Sequence, residues 1–223
     1  MLLPPPGTLR NLIFDLGGVL LNIDYQRPIA AFRRLSTAAA PLAFNQQAQA
    51  PLFDALEIGA LSDADFRLDL REAYQIPAVV PDAALDAAWN AILLDLPRPR
   101  VALLQALRAV GYRLFLLSNT NGLHRAAFDA IIRAAHPDLP NALADLFDGV
   151  YYSHEVGLRK PDPAIFRRVL IDHDLLPAQT LFIDDSPQHV AAAHALGLHA
   201  VWLGPGQDIT APTSPLLDAL AAQ

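Results

Sequence analysis

The chain has 223 residues, of which 53% are hydrophobic, and a formal net charge of −7. A typical domain has roughly 150 residues, so one core domain with an insertion is the simplest division. The composition excludes three classes of function: without cysteine there is no disulfide or cysteine-bound zinc, no lysine or arginine cluster is present for nucleic acid, and no apolar stretch of about 18 residues is available to span a membrane.

The N-terminal segment gives no secretion signal, because Pro4, Pro5 and Pro6 interrupt it where a signal peptide has its apolar region. We therefore expect a soluble, cytoplasmic protein. Its partner is expected to be a small substrate, not nucleic acid or a membrane, and the sequence leaves the oligomeric state open.

Five short apolar runs bounded by turn residues predict strands. Each has the length of a strand, and several are apolar on both faces, as a parallel sheet covered by helices requires. The runs are NLIF at 11–14, YRLFLLS at 112–118, GVYYS at 149–153, TLFI at 180–183 and HAVWL at 199–203.

Helices are predicted around the later strands by proline starts and glycine stops. Pro99 opens a helix that ends at Gly111, Pro163 opens a second, and Pro187 opens a third that ends at Gly197. The alternation of strands and helices predicts the α/β class, with a doubly wound, Rossmann-like parallel sheet.

The segment between the first strand and Pro97 predicts a helical insertion. It contains about 70 residues, whereas a crossover between parallel strands needs only a dozen or so. Ser62 followed by Asp65 resembles a helix-capping signal, and 82–94 is amphipathic. We divide the chain into a core of 1–22 plus 97–223 and a small helical unit of 23–96, in which 37–51 is a loop or a low-complexity piece.

Polar residues follow four of the predicted strands, at the sheet edge where ligands bind in doubly wound folds. These residues are Asp15, the triplet from Ser118 to Thr120, Lys160, and the pair Asp184 and Asp185. Each alone is more typical of a helix cap, a turn or a solvated charge. Together, three carboxylates at one edge need a cation, and an all-oxygen set suits Mg²⁺. A metal beside a lysine and a hydroxyl makes a phosphate site.

Four sequence blocks in this order resemble the motifs of the haloacid dehalogenase-like hydrolase superfamily: IFDLGGVL, LLSNTN, GLRKPDPAIF and LFIDDSP. The helical insertion lies where that family has its C1-type cap. Within the family, the blocks are most similar to the branch of bacterial α-D-glucose-1-phosphate phosphatase and of the phosphatase domain joined to epoxide hydrolases. The resemblance implies a Mg²⁺-dependent phosphomonoester hydrolase acting on a small phosphorylated metabolite, with a sugar phosphate favoured.

The resemblance also implies a role for each matched residue. Asp15 is the nucleophile that forms an aspartyl-phosphate, and Ser118, Asn119 and Lys160 bind the phosphoryl group. The implied metal ligands are Asp15, the backbone carbonyl of Gly17, Asp185 and, through water or by fixing the neighbouring geometry, Asp184.

Two positions depart from the family pattern. Most phosphatases of the family have an aspartate two residues after the nucleophile, as general acid and base, where this chain has Gly17. Losing such a group costs about 10²- to 10⁴-fold in rate, least for good leaving groups such as anomeric phosphates. Asp24 is a candidate replacement for proton transfer, although capping the helix predicted at 25–35 is the simpler role for it. His189 stands where related proteins often have Asn or Gly, so the support of Asp185 is expected to differ.

Three alternatives stay open at the level of sequence. A haloacid dehalogenase would form an ester on Asp15 without metal, which leaves the pair Asp184 and Asp185 unexplained. A receiver-type signalling domain gathers similar residues, but there the acidic pair comes first. A catalytically weak relative that binds a phosphorylated ligand is consistent with Gly17. The substrate depends on cap residues, and the candidates to face the pocket are Arg27, Arg33, Arg34, Glu57 and Trp89.

Overall fold

The computed structural model describes residues 6–36 and 51–222. Most of the segment 37–51, predicted to be a loop or low-complexity piece, lies outside the described residues. Of the helices within the described ranges, none has the length and apolar character needed to cross a membrane.

Five parallel strands form one sheet with the order β3-β2-β1-β4-β5, so the predicted doubly wound α/β fold is confirmed. The strands are β1 (Asn11–Phe14), β2 (Arg113–Ser118), β3 (Gly149–Tyr152), β4 (Thr180–Asp184) and β5 (His199–Trp202). All five agree with the predicted runs to within one residue at either end.

Ten helices lie within the described ranges, together with 3₁₀ turns at Ala142–Asp145 and Pro177–Gln179. They are α1 (Gln26–Leu35), α2 (Pro51–Glu57), α3 (Asp63–Ala73), α4 (Asp82–Asn90), α5 (Arg98–Ala109), α6 (Gly122–Ala135), α7 (Ser153–Val156), α8 (Pro163–Asp172), α9 (Pro187–Ala195) and α10 (Pro215–Ala221).

The strands alternate their side chains between two apolar layers, as the period of two in a strand requires. In β1, Leu12 and Phe14 join the layer under α5, α6 and α10, whereas Ile13 faces the layer under α8 and α9. All three side chains are fully buried. The apolar runs in the sequence are continuous because both faces of the sheet are covered.

Helices α1 to α4 pack around a separate apolar cluster centred on Trp89 and Phe53, whose rings stack with centroids 5.0 Å apart. The two chain segments that link these helices to the sheet pair with each other: the N–H of Asp24 donates to the carbonyl of Ile92 at 2.9 Å, and Ile23 and Leu93 form an antiparallel bridge. The division at 22/23 and 96/97 stays a prediction, and this separate cluster supports it.

Candidate active site

The ends of three adjacent strands deliver the predicted polar residues to one place. Asp15 directly follows β1, and its N–H donates to the carbonyl of Ile183 in β4 at 2.9 Å. Ser118 is the last residue of β2 and Asp184 the last of β4. Because β1 lies between β2 and β4, these side chains are neighbours at the carboxyl edge, and all three are buried.

Lys160 lies between two of the carboxylates, although it comes from a loop 145 residues after Asp15. Its Nζ donates to Oδ1 of Asp15 at 2.6 Å and to Oδ2 of Asp184 at 2.7 Å, and the residue is fully buried. Burial alone lowers the pKa of Lys160, but the two carboxylates outweigh it and leave that pKa above its ordinary value. The side chain is therefore a fixed ammonium ion.

Asn119 holds the loop that carries Lys160. Its side-chain oxygen accepts from the N–H of Lys160 at 2.9 Å, and its Nδ2 donates to the carbonyl of Lys160 at 2.9 Å. The resemblance implied that Asn119 donates to the phosphoryl group. In the structure, this side chain fixes the position of the lysine, and donation from Asn119 to the phosphoryl group stays a prediction.

Asp184 is held from three sides. Besides Lys160, the N–H of Ser186 donates to its Oδ1 at 2.7 Å, and Nδ1 of His189 lies 3.0 Å from the same oxygen. Burial raises the pKa of Asp184, but Lys160 and His189 outweigh it, so that pKa lies below its ordinary value. His189, noted in the sequence as a departure near Asp185, contacts Asp184.

The turn after β1 contains Gly17 and Gly18, and its conformation requires glycine at residue 18. Gly18 has φ of +78°, and a β-carbon there would lie 2.1 Å from Oδ2 of Asp185. The backbone therefore approaches the Asp185 carboxylate more closely than any other residue type allows. At Gly17, a β-carbon would lie 3.2 Å from Cδ1 of Ile23, so an apolar side chain stands beside the position where most family members have their second aspartate.

The acidic residues of the site fit a hard divalent cation. Asp15, Asp184 and Asp185 each offer a carboxylate oxygen, and these atoms lie within 4.8 Å of one another. Burial raises the pKa of Asp15 in spite of Lys160, so one ammonium does not fully compensate this carboxylate. Oxygen ligands with an uncompensated negative charge are what Mg²⁺ prefers.

Asp24 has another partner. Its Oδ1 accepts from the N–H of Gln26 at 2.8 Å at the start of α1, and the residue is not among those that line the cavity beside Asp15. The contact supports a structural role at the start of α1, which is close to the capping role that the sequence offered as the simpler one, although the N-cap residue itself is Tyr25.

The cavity above the sheet edge has a volume of about 110 Å³ and is lined by residues of the sheet edge and by residues between 23 and 93. Among the five cap candidates, Glu57 and Trp89 line it, whereas Arg27, Arg33 and Arg34 are exposed to solvent. This volume is well below the roughly 300–1,000 Å³ of pockets for drug-sized ligands, so it suits a small substrate.

Several lining residues were not singled out from the sequence, and the polar ones include Tyr25, His124 and Arg159. Burial and the acidic cluster raise the pKa of Tyr25, so its hydroxyl keeps its proton. Burial lowers the pKa of His124 to about 4, so its ring is neutral. Tyr25 and Arg159 are adjacent in sequence to Asp24 and Lys160, and that position was the only signal for them.

The chain is similar to proteins of one known family. Residues 9–197 match the protein family described as haloacid dehalogenase-like hydrolase. The curated D-ribitol-5-phosphate phosphatase of Bacteroides thetaiotaomicron is 29% identical over 192 residues, which cover 85% of this chain and 89% of the relative.

Two solved structures match over nearly their whole length. A haloacid dehalogenase family enzyme of Bacteroides thetaiotaomicron, an aspartate-to-alanine mutant in complex with magnesium and inorganic phosphate, has a TM-score of 0.81 and 34% identity over 90% of this chain and 96% of the other. A predicted haloacid dehalogenase-like hydrolase of Porphyromonas gingivalis has a TM-score of 0.77 and 30% identity over 97% and 100%. The chain therefore belongs to the haloacid dehalogenase-like hydrolase family and is an enzyme of that family.

Proposed function

We propose that this enzyme is a Mg²⁺-dependent phosphomonoester hydrolase that acts on a small phosphorylated metabolite, with a sugar phosphate favoured. The observation that carries the proposal is the contact of the Lys160 ammonium with both Asp15 and Asp184 beside a third carboxylate, Asp185. Support also comes from the relatives, one of which is a D-ribitol-5-phosphate phosphatase and another of which binds magnesium and phosphate.

In the proposed first step, a carboxylate oxygen of Asp15 attacks phosphorus in line as the bond to the leaving oxygen breaks. An aspartyl-phosphate forms, and the leaving oxygen takes a proton from solvent water to give the alcohol. Lys160 stabilises the charge on the equatorial oxygens, with Ser118 as a hydroxyl donor. In the second step, water attacks the same phosphorus, which releases inorganic phosphate and restores Asp15.

The residues that would hold Mg²⁺ are Asp15, the carbonyl of Gly17 and Asp185, with Asp184 acting through water or through its hold on Lys160. When bound, the ion neutralises charge on the phosphoryl oxygens and keeps Asp15 ionised. In the same proposal, residues 23–96 form the cap that separates the cavity from bulk water.

Because residue 17 is glycine, no carboxylate at that position can donate a proton to the leaving oxygen. We expect turnover to depend steeply on the leaving group for this reason, because a good leaving group departs without a donor. Asp24→Asn tests the candidate proton-transfer role of Asp24. A nearly unchanged pH–rate profile is expected, since the Asp24 side chain accepts from the N–H of Gln26 at the start of α1. Loss of one limb of that profile would restore Asp24 as the proton-transfer group.

The experiment that tests the function is a screen of sugar phosphates, other small phosphomonoesters and para-nitrophenyl phosphate with Mg²⁺, run in parallel with Asp15→Asn. We expect the wild type to release phosphate, EDTA to abolish that release, and the variant to fall to background. Full activity in Asp15→Asn would refute the assignment.

The same screen separates the two alternative functions. Activity on a haloacid that survives EDTA would identify a dehalogenase. Measurable phosphate binding without hydrolysis of any ester would identify the catalytically weak relative, for which the apolar contact of Gly17 with Ile23 is the favouring observation.

A further inference from the structure

We propose that Glu57, paired with Arg159, determines specificity by selecting an uncharged, hydroxyl-rich leaving group such as the carbon chain of a polyol or a sugar. This inference rests on the proposed phosphatase function and concerns the half of the substrate that leaves.

Glu57 and Arg159 come from distant segments of the chain and contact each other where both line the cavity. Nη2 of Arg159, from the loop that carries Lys160, lies 2.9 Å from Oε2 of Glu57 at the end of α2. Nη1 of the same arginine donates to Asp54, one turn earlier on α2. Glu57 and Arg159 both line the cavity, whereas Asp54 does not.

The end of α2 is seated tightly on the core, which fixes Glu57 in place. Gly59 has φ of +69°, and a β-carbon there would lie 2.4 Å from the carbonyl oxygen of His154 in α7. Glu57 is itself only 8% exposed. A buried carboxylate held against a guanidinium is a preorganised acceptor and donor pair, which is what recognition of hydroxyl groups requires.

The charge balance of the cavity argues for an uncharged leaving group. Lys160 and Arg159 are the only two cations among the described residues that line it, and each contacts two carboxylates. The segments outside the described ranges contain no lysine, arginine or histidine. A carboxylate or a second phosphate on the leaving group would therefore enter the cavity without a cation to pair with, at a high cost in desolvation.

The histidines that line the cavity do not change this balance. His124 is buried and neutral, because burial lowers its pKa to about 4. His189 contacts Asp184. The ring of His124 also stacks on Trp89 with centroids 4.5 Å apart and an interplanar angle of 15°, so these two rings give one wall of the cavity an aromatic surface. A carbon chain with C–H groups on one side and hydroxyls on the other matches such walls.

The test compares D-ribitol 5-phosphate, O-phosphoserine and para-nitrophenyl phosphate as substrates of the full-length enzyme with Mg²⁺. For the wild type we expect kcat/KM to be higher for D-ribitol 5-phosphate than for O-phosphoserine, the other aliphatic ester. In Glu57→Gln, the ratio of kcat/KM for the polyol phosphate to that for para-nitrophenyl phosphate should fall about tenfold or more, because hydrogen bonds to a charged acceptor are lost.

Asp54→Asn is the matched control, since it weakens the same arginine pair without changing a cavity wall. We expect it to keep the wild-type ratio within about twofold, in the range of an exposed ion pair. An equal fall in both variants would mean that the pair only docks the cap, and a wild type that prefers O-phosphoserine would refute the uncharged leaving group; either result overturns the inference. If the wild type hydrolyses none of the esters, the proposed function fails instead.

Discussion

The α-carbon of Gly18 lies against the carboxylate of Asp185, so closely that a β-carbon would stand 2.1 Å from Oδ2. Gly18→Ala must therefore displace Asp185 in addition to straining a backbone with φ of +78°. We expect stability to fall by about 1–3 kcal/mol from the backbone conformation alone. Mg²⁺ affinity, measured by calorimetry, should fall as well, because Asp185 no longer keeps its place.

Gly206→Ala separates these two effects. Gly206 has nearly the same conformation, with φ of +77°, but no atom lies within 4 Å of a β-carbon placed there. This control should lose stability to a similar extent and keep the Mg²⁺ affinity of the wild type. Equal Mg²⁺ affinities in the two variants would show that the contact between Gly18 and Asp185 does not organise the metal ligands.

Lys160 is the single lysine in the sequence, and its removal leaves two buried carboxylates facing each other. We expect Lys160→Met to lose about 3–5 kcal/mol of stability in EDTA, the cost of breaking a buried ion pair by removing one partner. Turnover should fall about 10²- to 10³-fold, the range for losing one donor to the transition state. Urea denaturation and phosphate release measure the two effects.

Magnesium should stabilise Lys160→Met more than it stabilises the wild type, because in the variant the ion replaces the positive charge that Lys160 places between Asp15 and Asp184. Lys160→Arg should not restore activity, since the larger planar guanidinium does not fit a fully buried slot shaped for an ammonium. Identical Mg²⁺-induced shifts in the melting temperature of wild type and Lys160→Met would contradict the electrostatic role.

We predict that restoring the missing acid at residue 17 needs a second change, at Ile23. Gly17→Asp places its β-carbon 3.2 Å from Cδ1 of Ile23, the atom that Ile23→Val removes. We expect Gly17→Asp alone to gain little, and the double variant to hydrolyse an alkyl phosphate up to about 10²-fold faster than Ile23→Val, the lower range for general acid catalysis. A full gain in the single variant would mean that Ile23 does not exclude the acid.

Local patterns were sufficient to predict the sheet and much of its edge. Apolar runs with proline starts indicated five strands and three helices, and the predicted cap of α3 is present, with the N–H of Asp65 donating to Ser62 Oγ at 3.1 Å. The edge was predictable because parallel strands bring their carboxyl ends together. Asp15, Ser118 and Asp184 were therefore predicted to share this edge once the strands were identified, and the strand order makes them neighbours.

Contacts between distant segments of the chain could not be predicted from the sequence. The amphipathic run at 82–94 predicted one helix, but α4 ends at Asn90 because Asn22 and Asp24 pair with the backbone at 92–94. Helix α6 was not singled out, since its cap residue, Asn121, belongs to a block interpreted as part of the site. The contact of Arg159 with Glu57 crosses 102 residues and leaves no local pattern.

His124 should make the stability of the enzyme depend on pH. The ring packs on Trp89, its Nδ1 lies 3.1 Å from Nδ2 of Asn121, and Nε2 faces the carbonyl of Trp89 at 3.4 Å. Nδ1 therefore accepts from the amide, and Nε2 carries the proton. A proton added to Nδ1 would face another donor in a buried place, and burial lowers the pKa of His124 from 6.5 to about 4.

Lowering the pH should destabilise the folded enzyme, because the unfolded chain binds a proton at His124 more readily. Between pH 6.5 and about 4 the unfolded chain binds a proton at His124 that the folded chain does not, so the free energy of unfolding falls as the pH is lowered through this window. The full difference is about 3 kcal/mol. His124→Gln lacks the titrating group, so its loss of stability between pH 6.5 and 4.5, measured by urea denaturation, should be smaller than that of the wild type. His194→Gln, at an exposed position in α9, should keep the wild-type slope. Parallel slopes for the wild type and His124→Gln would show that His124 is protonated in the folded enzyme as readily as in the unfolded chain.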